Sequence, residues 1–263
     1  MRERTRPPKK KVKLKPRFYI LLAGVLVAIY GSYYFVFQSS VFLVREIHVE
    51  GNDHVPVSMV IEYSQVRKGD QLFRVKPVDV AKRVTLHPYI REATVNRQGM
   101  KGVNIVVRER EEYAIIPYMG LYVLLDREQY VLDVSDGLFG NHLCIVTGIE
   151  FLDFTIGQQA QVHHPQYMET VYNTLDAARE AEILDMISEI NIDSSGNVRI
   201  VMFNGIEALL GKEPDPAYMV LALKEALITL HIRGMNNVIL DMRYGGQIIV
   251  QERMQWEEED EQP

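Results

Sequence analysis

The chain has one cysteine, Cys144, among 263 residues. That excludes an intramolecular disulfide and any multi-cysteine zinc site. Cys144 lies in the apolar run 143–146, which predicts a buried, inert thiol. Without cross-links a large domain depends on its core. With 47 % hydrophobic and 24 % charged residues, the composition can supply one. Catalytic signatures are also missing. There is no G-x-S-x-G elbow, no H-E-x-x-H, no Walker loop and no G-x-G-x-x-G. His163-His164 is the sole histidine doublet. Adjacent residues do not share a helix face, so it reads as a solvated helix start, not a chelating pair. Ser194-Ser195-Gly196 reads as turn chemistry. Carboxylates abound, but no acid/base pair stands out. The expectation is a non-enzyme that needs no cofactor or metal.

Positive charge is scarce outside one segment. Nine of the 29 basic residues and one of the 35 acidic residues fall in 1–17, leaving 20 basic and 34 acidic residues, a net of −14, for the rest. Nucleic-acid binding rests on neutralising phosphates, so an acidic body disfavours it. The basic segment abuts an apolar run, and anionic lipid headgroups suit it better. The run 108–112 (Arg108, Glu109, Arg110, Glu111, Glu112) reads as a solvated strand end, with an electrostatic contact to a partner as a second reading.

Long hydrophobic runs number one. Residues 18–37, bounded by Phe18 and Phe37, carry no charge. As a helix they span about 30 Å, the hydrocarbon thickness. Tyr30, Tyr33 and Tyr34 crowd the far end as an interfacial belt would. Basic residues flank only the near end, which predicts a cytoplasmic N-terminus and an exported body, a single-pass type II arrangement. A cleaved signal peptide fits less well, because the run is long and its end is bulky. A buried core helix would need protein on every side.

Beyond the span, residues 44–49 read as a strand closed by Gly51-Asn52. Residues 56–63 and 78–86 read as short helices, and 90–97 and 103–109 as strands around a turn at 98–102. The sum is β-α-α-β-β. From Tyr113 short strands dominate, with a hairpin at 122–125 and 130–134. A helix over 164–183 has Met168, Val171, Leu175 and Ala178 at helical spacing. Strands at 187–193 and 198–203 flank the turn 194–197, followed by a strand at 206–210. A last helix has Asp215 as N-cap, Pro216 at N1 and Gly234 at its end. Strands at 237–243 and 247–252 close the fold. Ile248 and Val250 are expected on one face, Ile249 and Gln251 on the other. Residues 253–263 read as an acidic disordered tail.

Three segments then match a known pattern: residues 44–52, residues 87–95 beginning His87-Pro88-Tyr89, and residues 106–110. With Gly205 to Gly211 and Leu240-Asp241-Met242-Arg243-Tyr244, their order resembles the FtsQ/DivIB family of bacterial cell-division proteins. The resemblance implies an α+β fold in three parts. These are one transmembrane helix, a small POTRA-like domain at 42–111, and a mixed α/β "β domain" at 112–252 with a largely antiparallel sheet and two helices. It implies a scaffold of the division machinery, located at the septum. Expected partners are FtsB/DivIC-like and FtsL-like single-span proteins, and through them the septal peptidoglycan synthase, with no small-molecule substrate. The contact mode it implies is strand addition at the last strands, with Arg243, Tyr244, Gln247, Ile248, Ile249 and Val250 as the contact residues. Tyr and Arg are frequent hot-spot types. A second reading is a POTRA-type chaperone or interaction module in polypeptide transport or assembly. A third, a tethered cell-wall enzyme, lacks motif support.

Overall fold

The computed structural model describes residues 16–38, 40–137, 143–212, 215–244 and 246–253. The expected basic segment up to residue 15, the acidic tail beyond Arg253, Gly245 and the side chain of Phe37 lie outside them. Helix α1 (Pro16–Gln38) has 23 residues. Among the described residues it is the one helix long and apolar enough to cross a membrane, and no protein covers its apolar window. The chain divides into two compact units, Met1–Val84 with Glu92–Arg108, and Thr85–Arg91 with Glu109–Pro263.

Beyond α1, the first unit follows the β-α-α-β-β order: β1 (Glu46–Glu50), α2 (Val57–Ser64), α3 (Pro77–Val84), β2 (Ile90–Gln98) and β3 (Gly102–Glu109). The sheet order is β1-β3-β2, with β1 parallel to β3 and Ile47 opposite Val103. Val103, Ile105 and Val107 are buried while Val106 and Arg108 are exposed. That alternation is the strand period reading one core face. Val60, Val80 and Val84 bring the two helices onto it. Gly51 adopts φ +81°, and a side chain there would strike the Val107 carbonyl. The turn closing β1 therefore needs glycine.

The second unit is a nine-stranded sheet. Its strands are β4 (Glu112–Tyr118), β5 (Leu121–Asp126), β6 (Val131–Ser135), β7 (Cys144–Thr147), β10 (Ile187–Ile192), β11 (Asn197–Met202), β12 (Glu207–Lys212), β13 (Val238–Asp241) and β14 (Ile249–Glu252). A separate two-stranded ribbon pairs β8 (Phe151–Asp153) with β9 (Gln161–Val162). The large sheet runs β14-β13-β12-β11-β10-β7-β4-β5-β6. The pairs β4/β5, β5/β6, β10/β11, β11/β12 and β13/β14 are antiparallel, whereas β4/β7, β7/β10 and β12/β13 are parallel. Parallel neighbours need long crossovers. Helix α4 (Pro165–Glu180) lies in the β7-to-β10 crossover, and α5 (Pro216–Ile232) in the β12-to-β13 crossover. Their buried Met168, Leu175, Leu223 and Leu227 share one core with Ala114, Ile190 and Leu240. Ile115, Leu124 and Leu132 form a smaller cluster with Tyr89 packed on it. Alternation along β4 and β5 sends these two sets to opposite faces.

Within the 108–112 run Arg108 and Glu111 are solvated as read, whereas Arg110 and Glu112 are not. Arg110 is 10 % exposed, binds Asp126 at 2.5 Å and Glu128 at 3.2 Å, and lies 3.7 Å over the Tyr130 ring. Asp126 Oδ1 also accepts the amides of Glu128 and Tyr130, both at 2.8 Å. Glu112 accepts the Tyr89 hydroxyl at 3.1 Å. The charges of 110 and 112 are used inside the second unit. Cys144 is buried, and desolvation pushes its thiol up to about 12, the inert state its surroundings predicted.

Candidate functional site: the open sheet edge

A sheet has two edges, and this one treats them differently. At β6 the Val131 amide donates to Gln158 O at 2.9 Å and its carbonyl accepts from Gly157 at 2.8 Å. Tyr130 bridges to Gln159. A loop therefore covers the start of that edge, a usual protection for an exposed ladder. Strand β14 has β13 as its only strand neighbour among the described residues, and all four of its residues are exposed.

The register states which main-chain groups are spare. Leu240 faces Val250 and Asp241 faces Ile249. The Arg253 amide donates to Asn237 O at 3.4 Å, continuing that register. In an antiparallel ladder hydrogen-bonded and non-hydrogen-bonded pairs alternate. Ile249 and Gln251 therefore point their main-chain groups at β13. Val250 and Glu252 point theirs outward, away from the sheet.

The side chains alternate as well. Ile248 and Val250 line a groove of about 450 Å³ with Ala222, Ala226, Leu230, Met235 and Leu240, while Ile249 stands 42 % exposed at the alternate position. The wall of this groove is α5. Asp215 caps it by accepting the Tyr218 amide at 3.3 Å, and Pro216 occupies the first turn. Its sequence carries only Lys224 and Glu225 as charged residues apart from His231. Val220, Leu223, Leu227 and Leu230 are buried, yet Tyr218, Leu221, Ile228 and Ile232 are exposed. A helix apolar all round is normally covered. This outer face was absent from the sequence reading, although the near-uncharged helix was its visible signal.

The turn after β13 carries the remaining residues. Arg243 folds back on Asp241, with Nε to Oδ1 at 2.8 Å, Nη2 to Oδ2 at 2.6 Å and its own amide to Oδ1 at 3.2 Å. Asp241 is 4 % exposed. The charge-assisted hydrogen bonds from Arg243 hold its carboxyl below the usual carboxylate range. The Arg243 stem passes over Gly211, where an added Cβ would meet Cγ at 3.2 Å. The guanidinium side chain remains 49 % exposed. Tyr244 is 58 % exposed, with its ring centroid 6.0 Å from the Arg243 guanidinium carbon. Gln247 closes the turn by donating its amide to Tyr244 O at 3.1 Å. Arg243, Tyr244 and Ile248 to Val250 thus lie on one continuous border. The fixed fork, the exposed ring, the spare main-chain groups and the apolar groove suit a protein segment. Among the described residues no group of three or more His, Cys, Asp or Glu side chains could hold a metal ion.

Comparison with known proteins places this geometry in context. Residues 42–110 match the family described as POTRA domain, FtsQ-type. The cell division protein DivIB of Clostridium tetani is 23 % identical over 243 residues, covering 89 % of this chain and 86 % of the relative. The cell division protein FtsQ of Salinibacter ruber is 27 % identical over 184 residues, covering 69 % of this chain and 68 % of the relative. The extracytoplasmic domain of the trans isomer of DivIB from Geobacillus stearothermophilus aligns with 14 % identity and a TM-score of 0.31, over 48 % of this chain and 98 % of that one. These relatives are named as cell division proteins and not by an enzymatic activity. The chain is a homologue of the DivIB/FtsQ cell-division proteins, and residues 42–110 are its FtsQ-type POTRA domain.

Proposed function

We propose that this chain is a non-enzymatic scaffold of the division machinery, anchored by α1 in a type II arrangement and acting at the septum through its extracytoplasmic body. The basic segment 1–17 stays inside the cell. Two modules follow outside, POTRA-like at 42–111 and the β domain at 112–252. A segment of an FtsB/DivIC-like single-span partner adds as a strand to β14, and an FtsL-like protein joins the same assembly. Through them the complex influences the septal peptidoglycan synthase. The observation that carries this reading is β14 itself. It is an open edge whose outward main-chain groups at Val250 and Glu252 stand beside an apolar groove. Main-chain hydrogen bonds would give affinity and the groove would select alternate apolar side chains. An uncovered apolar edge is a liability unless a partner uses it.

Tyr244 and Arg243 are the side-chain anchors of this surface. Tyr244→Ala is expected to weaken binding of a DivIC-like ectodomain by about 2 kcal/mol, the range of a hot spot, with an unchanged unfolding midpoint. Titration by calorimetry measures it. Unaltered affinity would remove Tyr244 from the site.

A further inference from the structure

The first unit carries a second surface, built where its segments meet α1. Its elements run back and forth between two ends, and the bonds say which segments share an end. The Val44 amide donates to Asp70 O at 2.8 Å, Gly69 donates to Val44 O at 2.8 Å and Leu72 donates to Phe42 O at 2.9 Å. The Arg45 amide donates to Lys101 O at 2.8 Å. The Arg97 guanidinium donates to Leu72 O at 3.1 Å and to Val75 O at 2.7 Å. Residues 40–45, the loop 67–76 and the β2–β3 turn around Met100 therefore gather at one end. The turn after β1 and the start of α2 lie at the other.

That gathered end adjoins α1. One residue separates Gln38, the last of α1, from Ser40, a reach of about 8 Å at 3.8 Å per Cα step. The rings then form a chain: Phe35 lies 6.2 Å from Phe42, and Phe42 lies 5.1 Å from Phe73. Val41, Phe73 and Met100 are exposed there at 39 %, 38 % and 61 %. Charge sorts to the same end. The loop 67–76 holds Arg67, Lys68, Arg74 and Lys76, all exposed, against Asp70 alone. Arg45, Arg97 and Lys101 join them from the neighbouring segments. Asp70 is occupied by the Arg67 amide at 2.7 Å. Asp79 faces Lys76 at 3.8 Å, and Glu46 stands 3.4 Å from His48. Exposed Glu62, in the last turn of α2, is a further acid at this end, while Glu50, Asp53 and Glu92 lie towards the opposite one. In a body that is acidic overall, basic residues mixed with exposed apolar side chains at the foot of the anchor match an anionic bilayer surface.

We infer that this end of the POTRA domain docks on the membrane, with Phe73 and Met100 at the headgroup boundary and the basic side chains on anionic phosphates. The inference rests on the reading of α1 as a membrane anchor. Docking fixes the height of the first unit above the bilayer, so the domain sets a distance as well as linking two parts.

The test uses the full chain reconstituted in phosphatidylglycerol-containing vesicles with brominated acyl chains. The single tryptophan, Trp256, is changed to Phe, and a reporter is placed by Phe73→Trp, by Met100→Trp or, at the far end, by Val57→Trp. Quenching at 73 and 100 but not at 57 is expected. Arg74→Gln with Lys76→Gln should lower the docked-to-free ratio by roughly 25-fold, about fivefold for each basic side chain. Phosphatidylcholine vesicles should act likewise. Chain that floats with vesicles yet shows equal quenching at all three sites, or none at 73 and 100, overturns the inference. So does quenching that ignores both lipid charge and the double substitution. Chain that fails to float overturns the anchor reading and this inference together.

Discussion

The Arg110 guanidinium is nearly enclosed, with Asp126 and Glu128 on its donors and Tyr130 beneath it. Removing it strands the buried Asp126 carboxylate. Arg110→Ala should destabilise the second unit by about 3 kcal/mol, read as a drop in thermal midpoint. Arg110→Lys should recover only part of it, because an ammonium lacks the planar fork. A local reading of 108–112 could not supply this. The acids that claim Arg110 lie 16 and 18 positions onward and arrive only when β4 pairs with β5. Asp241 has a pH signature. Its folded value sits below its unfolded one of about 3.9, because Arg243 stabilises the charged form. That contribution is complete above the unfolded value and fades as pH falls through the folded one. Unfolding midpoints measured from pH 5 down to pH 2 should fall less steeply in Asp241→Asn than in the parent chain. Identical slopes would remove Asp241 from the acid response.

Elements with one wet face were legible. Val103, Ile105 and Val107 alternate with exposed or half-buried neighbours, and Met168, Val171, Leu175 and Ala178 repeat at helical spacing, so both elements stand where periodicity placed them. The cap Asp215-Pro216 marked the start of α5. Strand β4 was hidden for the opposite reason. Tyr113, Ala114, Ile115 and Ile116 are all buried, and a strand covered on both faces loses its alternation. Strands β8 and β9 have three and two residues, below what a pattern can signal. Sheet order was equally closed to the sequence. That β14 ends the sheet follows from β13 pairing with β12 in parallel, a non-local choice. The family resemblance named Arg243 and Tyr244. It did not name the groove or the uncovered face of α5, because exposure of Tyr218 and Ile232 is a property of the folded sheet.

At the scale of the whole chain, an apolar helix, an FtsQ-type POTRA domain and a sheet-rich unit bordered by the exposed strand β14 follow one another in sequence. In the proposed scaffold the last strand binds its partner through its backbone. Proline at 250 removes an amide that points away from β13, so the ladder within the chain keeps its bonds. Edge strands tolerate this. The decisive measurement compares Val250→Pro with Val250→Ala in the full chain, titrated with an FtsB/DivIC-like ectodomain, with unfolding midpoints taken alongside. Val250→Pro is expected to lose affinity by about tenfold or more and Val250→Ala far less, both with midpoints near that of the parent. Val250→Pro binding as tightly as Val250→Ala would contradict strand addition at this edge.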